Sequence, residues 1–183
     1  MIDRLLNRLK KINHETAAAE YPDLPPIGAL APDFTLPATN GIRPEGKPVS
    51  ITLSSLRGNP TILVFYPADN SSVCTSQLAL YNEALDIIKE HNASLIAIST
   101  DNLESHLAFT QQLNLHFPLL SDSNPAGVVS NEYGVLNPED GLCERAIFVL
   151  DCEGVIHWRA VFPRKYNPGL DGILEALEDL GKE

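Results

Sequence analysis

Thr61-Ile62-Leu63-Val64-Phe65-Tyr66 closes at Pro67, and Ala68-Asp69-Asn70-Ser71-Ser72-Val73-Cys74-Thr75 leads from there into an amphipathic stretch. The first run is uncharged and rich in β-branched and aromatic side chains, so it reads as a central strand buried on both faces. Proline removes a ladder hydrogen bond and ends the run. From about Ser72 to Glu90, Leu78, Tyr81, Leu85 and Ile88 fall on one helical stripe. A buried strand feeding a helix is the unit from which open α/β sheets are built.

Outward from that unit the pattern continues. Ser94 to Ser99 reads as a second buried strand, with Asp101 capping a helix that runs to about Leu113. Ala146 to Leu150 reads as a third buried strand. Asp151-Cys152-Glu153-Gly154 forms a hairpin turn, and Val155 to Val161 is the returning strand. A last amphipathic helix spans about Pro168 to Leu180, with Leu170, Ile173, Leu174 and Leu177 on its apolar side. On the N-terminal side, Asp33-Phe34-Thr35-Leu36 alternates like a short strand, and Val49 to Leu53 is its hairpin partner. The expected fold class is α/β with a mixed central sheet and an N-terminal β-hairpin.

Ahead of this body stands an arm. Ile2, Leu5, Leu6, Leu9 and Ile12 recur at helical spacing between Arg4, Arg8, Lys10 and Lys11. The expectation is an extra amphipathic helix packing on the body or on a neighbouring subunit; a membrane-surface anchor is the alternative. Ala17 to Pro26 reads as a linker. The chain is thus divided into an arm and linker over residues 1–26 and a single domain over residues 27–183.

Composition narrows the function. A net charge of −11 argues against nucleic acid, whose phosphates demand clustered Lys and Arg. No apolar run approaches the roughly 20 residues that span a bilayer, and no secretory signal is visible, so the cytoplasm is the expected compartment. Cys74, Cys143 and Cys152 cannot all pair within one chain and form neither a CxxC motif nor a zinc spacing. His14, His91, His106, His116 and His157 show no ligand spacing either, so no metal or other cofactor is expected.

Cys74 is the residue on which chemistry converges. It falls just past the C-terminal end of a buried strand, in the first turn of a helix, where ligands collect in open α/β sheets. Helix N–H groups favour a thiolate there by about 0.3–1 kcal/mol. Lowering a thiol from about 8.5 to about 5.5 needs roughly 4 kcal/mol. A cation at ~4 Å supplies that amount at an effective dielectric of about 20. An Arg or Lys from elsewhere in the chain is therefore required. Ser71 lies one helical turn before Cys74 and can present its hydroxyl towards the sulfur, and Pro67 offers an apolar shield against water. Such a group suits attack of a thiolate on an O–O bond.

These residues resemble the peroxiredoxins, the alkyl hydroperoxide reductase/thiol-specific antioxidant family, whose active-site pattern is Pro-x3-Thr/Ser-x2-Cys. Pro67, Ser71 and Cys74 match it, with Ser in place of the commoner Thr. Gly28-Ala29-Leu30-Ala31-Pro32-Asp33-Phe34, Leu53-Ser54-Ser55-Leu56-Arg57-Gly58, Ile98-Ser99-Thr100-Asp101 and Phe117-Pro118-Leu119-Leu120-Ser121-Asp122 extend the likeness across roughly residues 28–162. The resemblance implies a thioredoxin-like fold and an antioxidant peroxidase, an oxidoreductase whose redox-active centre is Cys74. It also assigns the missing cation: Arg145, before Ala146-Ile147-Phe148-Val149-Leu150-Asp151, stands where the family's catalytic arginine stands. A homodimer is implied on the same ground.

Attack leaves Cys74 as a sulfenic acid, which condenses with a thiol. In the subgroup whose resolving cysteine shares the helix, it lies five residues on; that position is Ala79 here. Cys152, at the far end of Arg145's strand, is expected to be remote. Cys143, two residues before Arg145, is the candidate for resolution within the chain if it faces the same side; a packing or merely adjacent thiol is the favoured reading. The leading expectation is a one-cysteine mechanism with thioredoxin, glutaredoxin or a small thiol as reductant. A redox-sensing, thiol-switched binding protein with little turnover is the alternative.

Overall fold

The structure, a computed structural model, describes residues 21–182. The expected N-terminal amphipathic helix and the first four residues of the linker lie outside those residues.

Seven strands form one mixed sheet in the order β2-β1-β5-β4-β3-β6-β7. They are β1 (Thr35–Ala38), β2 (Val49–Thr52), β3 (Thr61–Phe65), β4 (Ser94–Ser99), β5 (Leu119–Ser121), β6 (Arg145–Leu150) and β7 (Ile156–Phe162). The uncharged run Thr61–Phe65 is β3, buried at every position, parallel to β4 and antiparallel to β6. The hairpins β1–β2 and β6–β7 close the two sides of the sheet. The helices are α1 (Ser72–Glu83), α2 (Leu85–Glu90), α3 (Leu103–Leu113), α4 (Val128–Glu132) and α5 (Asp171–Leu180). No helix among the described residues is long and apolar enough to cross a membrane.

Alternation along the strands builds two separate cores. Ile62 and Val64 of β3, Ala97 of β4, and Ile147 and Val149 of β6 face Cys74, Leu78 and Tyr81 of α1, Phe109 of α3 and Ile173 of α5. Leu63, Phe65, Ile96, Ile98, Ala146 and Phe148 point the other way, against Phe34, Val129, Tyr133 and Cys143. Successive strand residues take opposite faces, so the parity of each residue decides which core it joins.

Three local readings shift. The long helix from Ser72 breaks at Ala84 (φ −92°, ψ 4°), although its apolar stripe runs on through Leu85 and Ile88. The cap of α3 is Asn102, whose side chain accepts from Ser105 N; Asp101 instead accepts from Ser99 Oγ at 2.7 Å and from Asp69 N at 2.9 Å. The end of the expected linker is docked: Leu24 is buried in the second core, and Tyr21 packs against it.

Candidate active site

β3 delivers the chain to the site. Tyr66 N still donates to Ile98 O at 3.1 Å, after which the buried Pro67 turns the backbone out of the sheet. Asn70 takes a left-handed conformation (φ 59°), which asparagine tolerates better than most residues, and Ser71 then opens the helix. Ser71 is the N-cap of α1, its Oγ accepting from Cys74 N at 3.3 Å. The hydroxyl is therefore used on the backbone of Cys74, and its own proton remains to be given.

Cys74 is fully buried, and so is Arg145, at 1% exposure. Arg145 sits on β6 with the parity of Ile147 and Val149, which brings its side chain to the face that carries α1. Its Nη2 lies 3.5 Å from Cys74 Sγ. Nη1 donates to Gln77 Oε1, while Nη2 and Nε donate to the carbonyl of Arg164 at 2.7 and 3.3 Å. Gln77, one turn after Cys74, is completely buried and donates through Nε2 to Tyr81 Oη at 3.0 Å. A sulfur at a capped helix start thus shares a water-poor site with a guanidinium held on two sides. Such a site stabilises negative charge on sulfur and on an oxygen leaving it.

Below the loop that joins β3 to α1 lies a second buried polar group. Asp69, with its side chain 2% exposed, accepts from Tyr66 Oη at 2.7 Å and Ser105 Oγ at 2.6 Å, and contacts His106 Nδ1 at 2.8 Å. His106 Nε2 meets Leu120 O at 3.1 Å. Burial pushes the Asp69 carboxyl up, but the hydrogen bond and charge of His106, with the hydroxyls of Ser105 and Tyr66, outweigh it and hold the group below its ordinary value. The same surroundings, led by burial and then by the Asp69 charge, push the Tyr66 phenol well up, so it stays a donor.

The other two cysteines are not brought to Cys74. Cys143 is buried in the opposite core, 3.1 Å from Ser130 Oγ, and burial pushes its thiol up to about 12. The alternation that set it beside Arg145 does not apply, because β6 begins at Arg145 and Cys143 instead bridges Leu136. Cys152 is exposed in the turn beyond the far end of β6. Glu144, the chain neighbour of Arg145, pairs with Arg164, at 3.2 Å. Among the described residues, no three His, Cys, Asp or Glu side chains gather into a metal-binding group.

The AhpC/TSA family matches residues 27–159 of the chain, almost the whole sheet and every residue at the site up to Arg145. The chain belongs to the peroxiredoxins. It is 32% identical over 172 residues to the chloroplastic 2-Cys peroxiredoxin BAS1 of Hordeum vulgare, covering 90% of this chain and 79% of that protein. It is 36% identical over 156 residues to the chloroplastic peroxiredoxin Q of Sedum lineare, covering 84% and 78%. The crystal structure of Enterococcus faecalis AhpC superposes with a TM-score of 0.77 at 26% identity, over 85% of this chain and 92% of that one. This peroxiredoxin is accordingly a thiol peroxidase on a thioredoxin-like fold. Gln77, Asp69, His106 and Arg164 went unassigned in the sequence. Only Gln77, a helical turn from Cys74, had a local signal.

Proposed function

We propose that Cys74 is the peroxidatic residue of a one-cysteine cycle reduced by an external thiol. The observation that carries this is the 3.5 Å approach of Arg145 Nη2 to Cys74 Sγ inside a buried helix start. The Cys74 thiolate attacks one peroxide oxygen, the S–O bond forms and the O–O bond breaks. Sulfur is oxidised by two electrons, and the leaving oxygen takes a proton to become an alcohol or water. Arg145 holds the thiolate and then the departing oxygen, Ser71 offers a hydroxyl proton, and Pro67 keeps water away. The sulfenic acid then condenses with an external thiol, releasing water, and a second thiol displaces Cys74 and leaves as the disulfide.

The placement of Cys143 in the other core and of Cys152 in a surface turn supports an external reductant. The thiol belongs to the thioredoxin class, a reading helped by the name of a 30% identical relative, the thioredoxin peroxidase of Echinococcus granulosus. Because Cys74 is fully buried, a protein reductant needs the first turn of α1 to open before it can reach the sulfur. Three unpaired thiols fit a reducing compartment such as the cytoplasm, and a homodimer is the proposed assembly. The domain proposed over residues 27–183 takes in the docked 21–26 segment as well.

Stopped-flow oxidation of the reduced protein by hydrogen peroxide and an organic hydroperoxide tests the reading. One thiol per chain should be lost rapidly in the wild type and not in Cys74→Ser. Mass analysis should find Cys74 as a sulfenic acid or a mixed disulfide with the added thiol. An intramolecular Cys74–Cys143 bond would overturn the one-cysteine cycle. A wild-type rate no faster than free cysteine would overturn the role of Cys74.

A further inference from the structure

A guanidinium carries five N–H groups in one plane. In Arg145 one goes to Cys74, one to Gln77 and two to the single carbonyl of Arg164, at 2.7 and 3.3 Å. The carbonyl of Arg164 therefore fixes the plane in which Arg145 faces the sulfur. It belongs to a turn just past the end of β7, closed by Tyr166 N donating to Pro163 O at 2.9 Å, where no ladder holds the backbone.

What holds that carbonyl is the side chain of the same residue. Arg164 Nη1 reaches Asp140 Oδ2 at 2.5 Å and Nη2 reaches Asp140 Oδ1 at 3.3 Å. Nε and Nη2 take the two oxygens of Glu144, each at 3.2 Å, and Nη2 also meets Leu142 O at 3.4 Å. Glu144, whose side chain is 14% exposed, accepts in turn from Asn137 Nδ2 at 2.9 Å. The fork ties the turn after β7 to the segment that leads directly into Arg145. Forked arginine–carboxylate pairs fix geometry as well as adding energy. A loop staple alone would need no contact between Arg164 and the site, yet Arg145 Nε and Nη2 both donate to Arg164's own carbonyl.

We propose that Arg164 is a positioning residue for peroxide reduction: its carbonyl orients Arg145 against Cys74, and its side chain, forked between Asp140 and Glu144, holds the carbonyl in place. This rests on the roles given above to Cys74 and Arg145. A displacement of about 1 Å at a reacting group costs on the order of 10²-fold in rate. A loosened but retained Arg145 should cost less, so Arg164→Ala is expected to lower the second-order rate of Cys74 oxidation about tenfold. Arg164→Lys, which can serve only one carboxylate at a time, should recover part of the loss. Glu144→Gln should lower the rate in the same direction. Quenched-flow loss of the Cys74 thiol gives the rate, measured well below each variant's unfolding transition.

The deciding readout is a double-mutant cycle. In an Arg145→Gln background, Arg164→Ala should have little further effect, because its action passes through Arg145. Losses that multiply in the double variant would overturn the proposal, as would an Arg164→Ala rate within twofold of wild type. If Arg145→Gln alone leaves the rate unchanged, the roles given to the site fail, and this proposal with them. Should Arg164→Ala not fold, Arg164→Lys and Glu144→Gln carry the same cycle.

Discussion

Replacing Asp69 by Asn removes one charge from the buried pair beneath the loop between β3 and α1 while leaving its shape almost intact. In the wild type one carboxylate receives three side-chain groups: Tyr66 Oη, Ser105 Oγ and His106 Nδ1, at 2.6–2.8 Å. An amide keeps a single acceptor oxygen. Set in the Oδ2 position it still serves Ser105 and His106, but its NH₂ then faces the Tyr66 hydroxyl, which must rotate to accept. Breaking one side of a buried pair costs about 3–5 kcal/mol. The retained hydrogen bonds put Asp69→Asn at the lower end, about 3 kcal/mol. With a urea dependence of about 2 kcal/mol per molar, the unfolding midpoint falls by roughly 1.5 M. The pH dependence gives a second check. The folded carboxyl lies below its ordinary 3.8, so its stabilisation is complete above that pH and is lost as pH falls through the folded value. The gap between wild type and variant should therefore narrow in acid. Urea unfolding at pH 7 and at several values below 4 measures both. A midpoint shift under about 0.5 M at pH 7 corresponds to under about 1 kcal/mol, what an exposed pair contributes, and would refute the buried pair as the anchor of the loop.

Two further outcomes follow from burial and backbone geometry. In native protein, a thiol reagent should modify the exposed Cys152 first and leave Cys143 untouched until unfolding, since burial holds that thiol up at about 12; peptide mass mapping over time reads the order. Gly134→Ala should lower the melting temperature, because Gly134 has φ +66° and an added Cβ would stand 2.6 Å from the carbonyl carbon of Asp23. A cost of about 1–3 kcal/mol, or some 2–10 °C, is expected, and an unchanged melting curve would mean that the 21–26 segment is not seated as described.

Much of the fold is written in short-range pattern. The charge-free run at β3, the stripe of Leu78, Tyr81, Leu85 and Ile88, and the turn before β7 each sit within a single element, where periodicity and turn chemistry act. β5 leaves no sequence signal because three residues are too few to show a period, nor does α4, because five residues make barely one turn. The helix break at Ala84 left no mark, since the apolar stripe continues across it. At the site, Ser71 and Cys74 were legible because one helical turn links them, and Arg145 because a family resemblance supplied its context. Asp69 and His106 lie 37 positions apart and meet only through the packing of α3 on the sheet. Arg164 acts on Arg145 through a backbone oxygen, which every residue possesses, so no side-chain pattern could announce it.

Cys143 shows where strand parity stops being a guide. Within a ladder, residues two apart share a face, and Arg145, Ile147 and Val149 do so beside α1. Counting back two more places would set Cys143 next to Arg145. The ladder ends at the pairing of Arg145 with Phe162, however, and Glu144 N turns aside to Val135 O at 2.7 Å. Freed from the pleat, Cys143 rolls to the opposite core and meets Ser130. The sheet now stands between the two thiols, and a disulfide tolerates Cα separations of only about 4.4–6.8 Å. Bringing Cys143 to Cys74 would require undoing the central strands, not merely opening a helical turn. The first turn of α1 is by contrast held by the Ser71 cap, worth about 1 kcal/mol, and by the contact of Arg145 with Cys74. Opening outward is thus the easier motion, which supports the external thiol proposed for the Cys74 sulfenic acid.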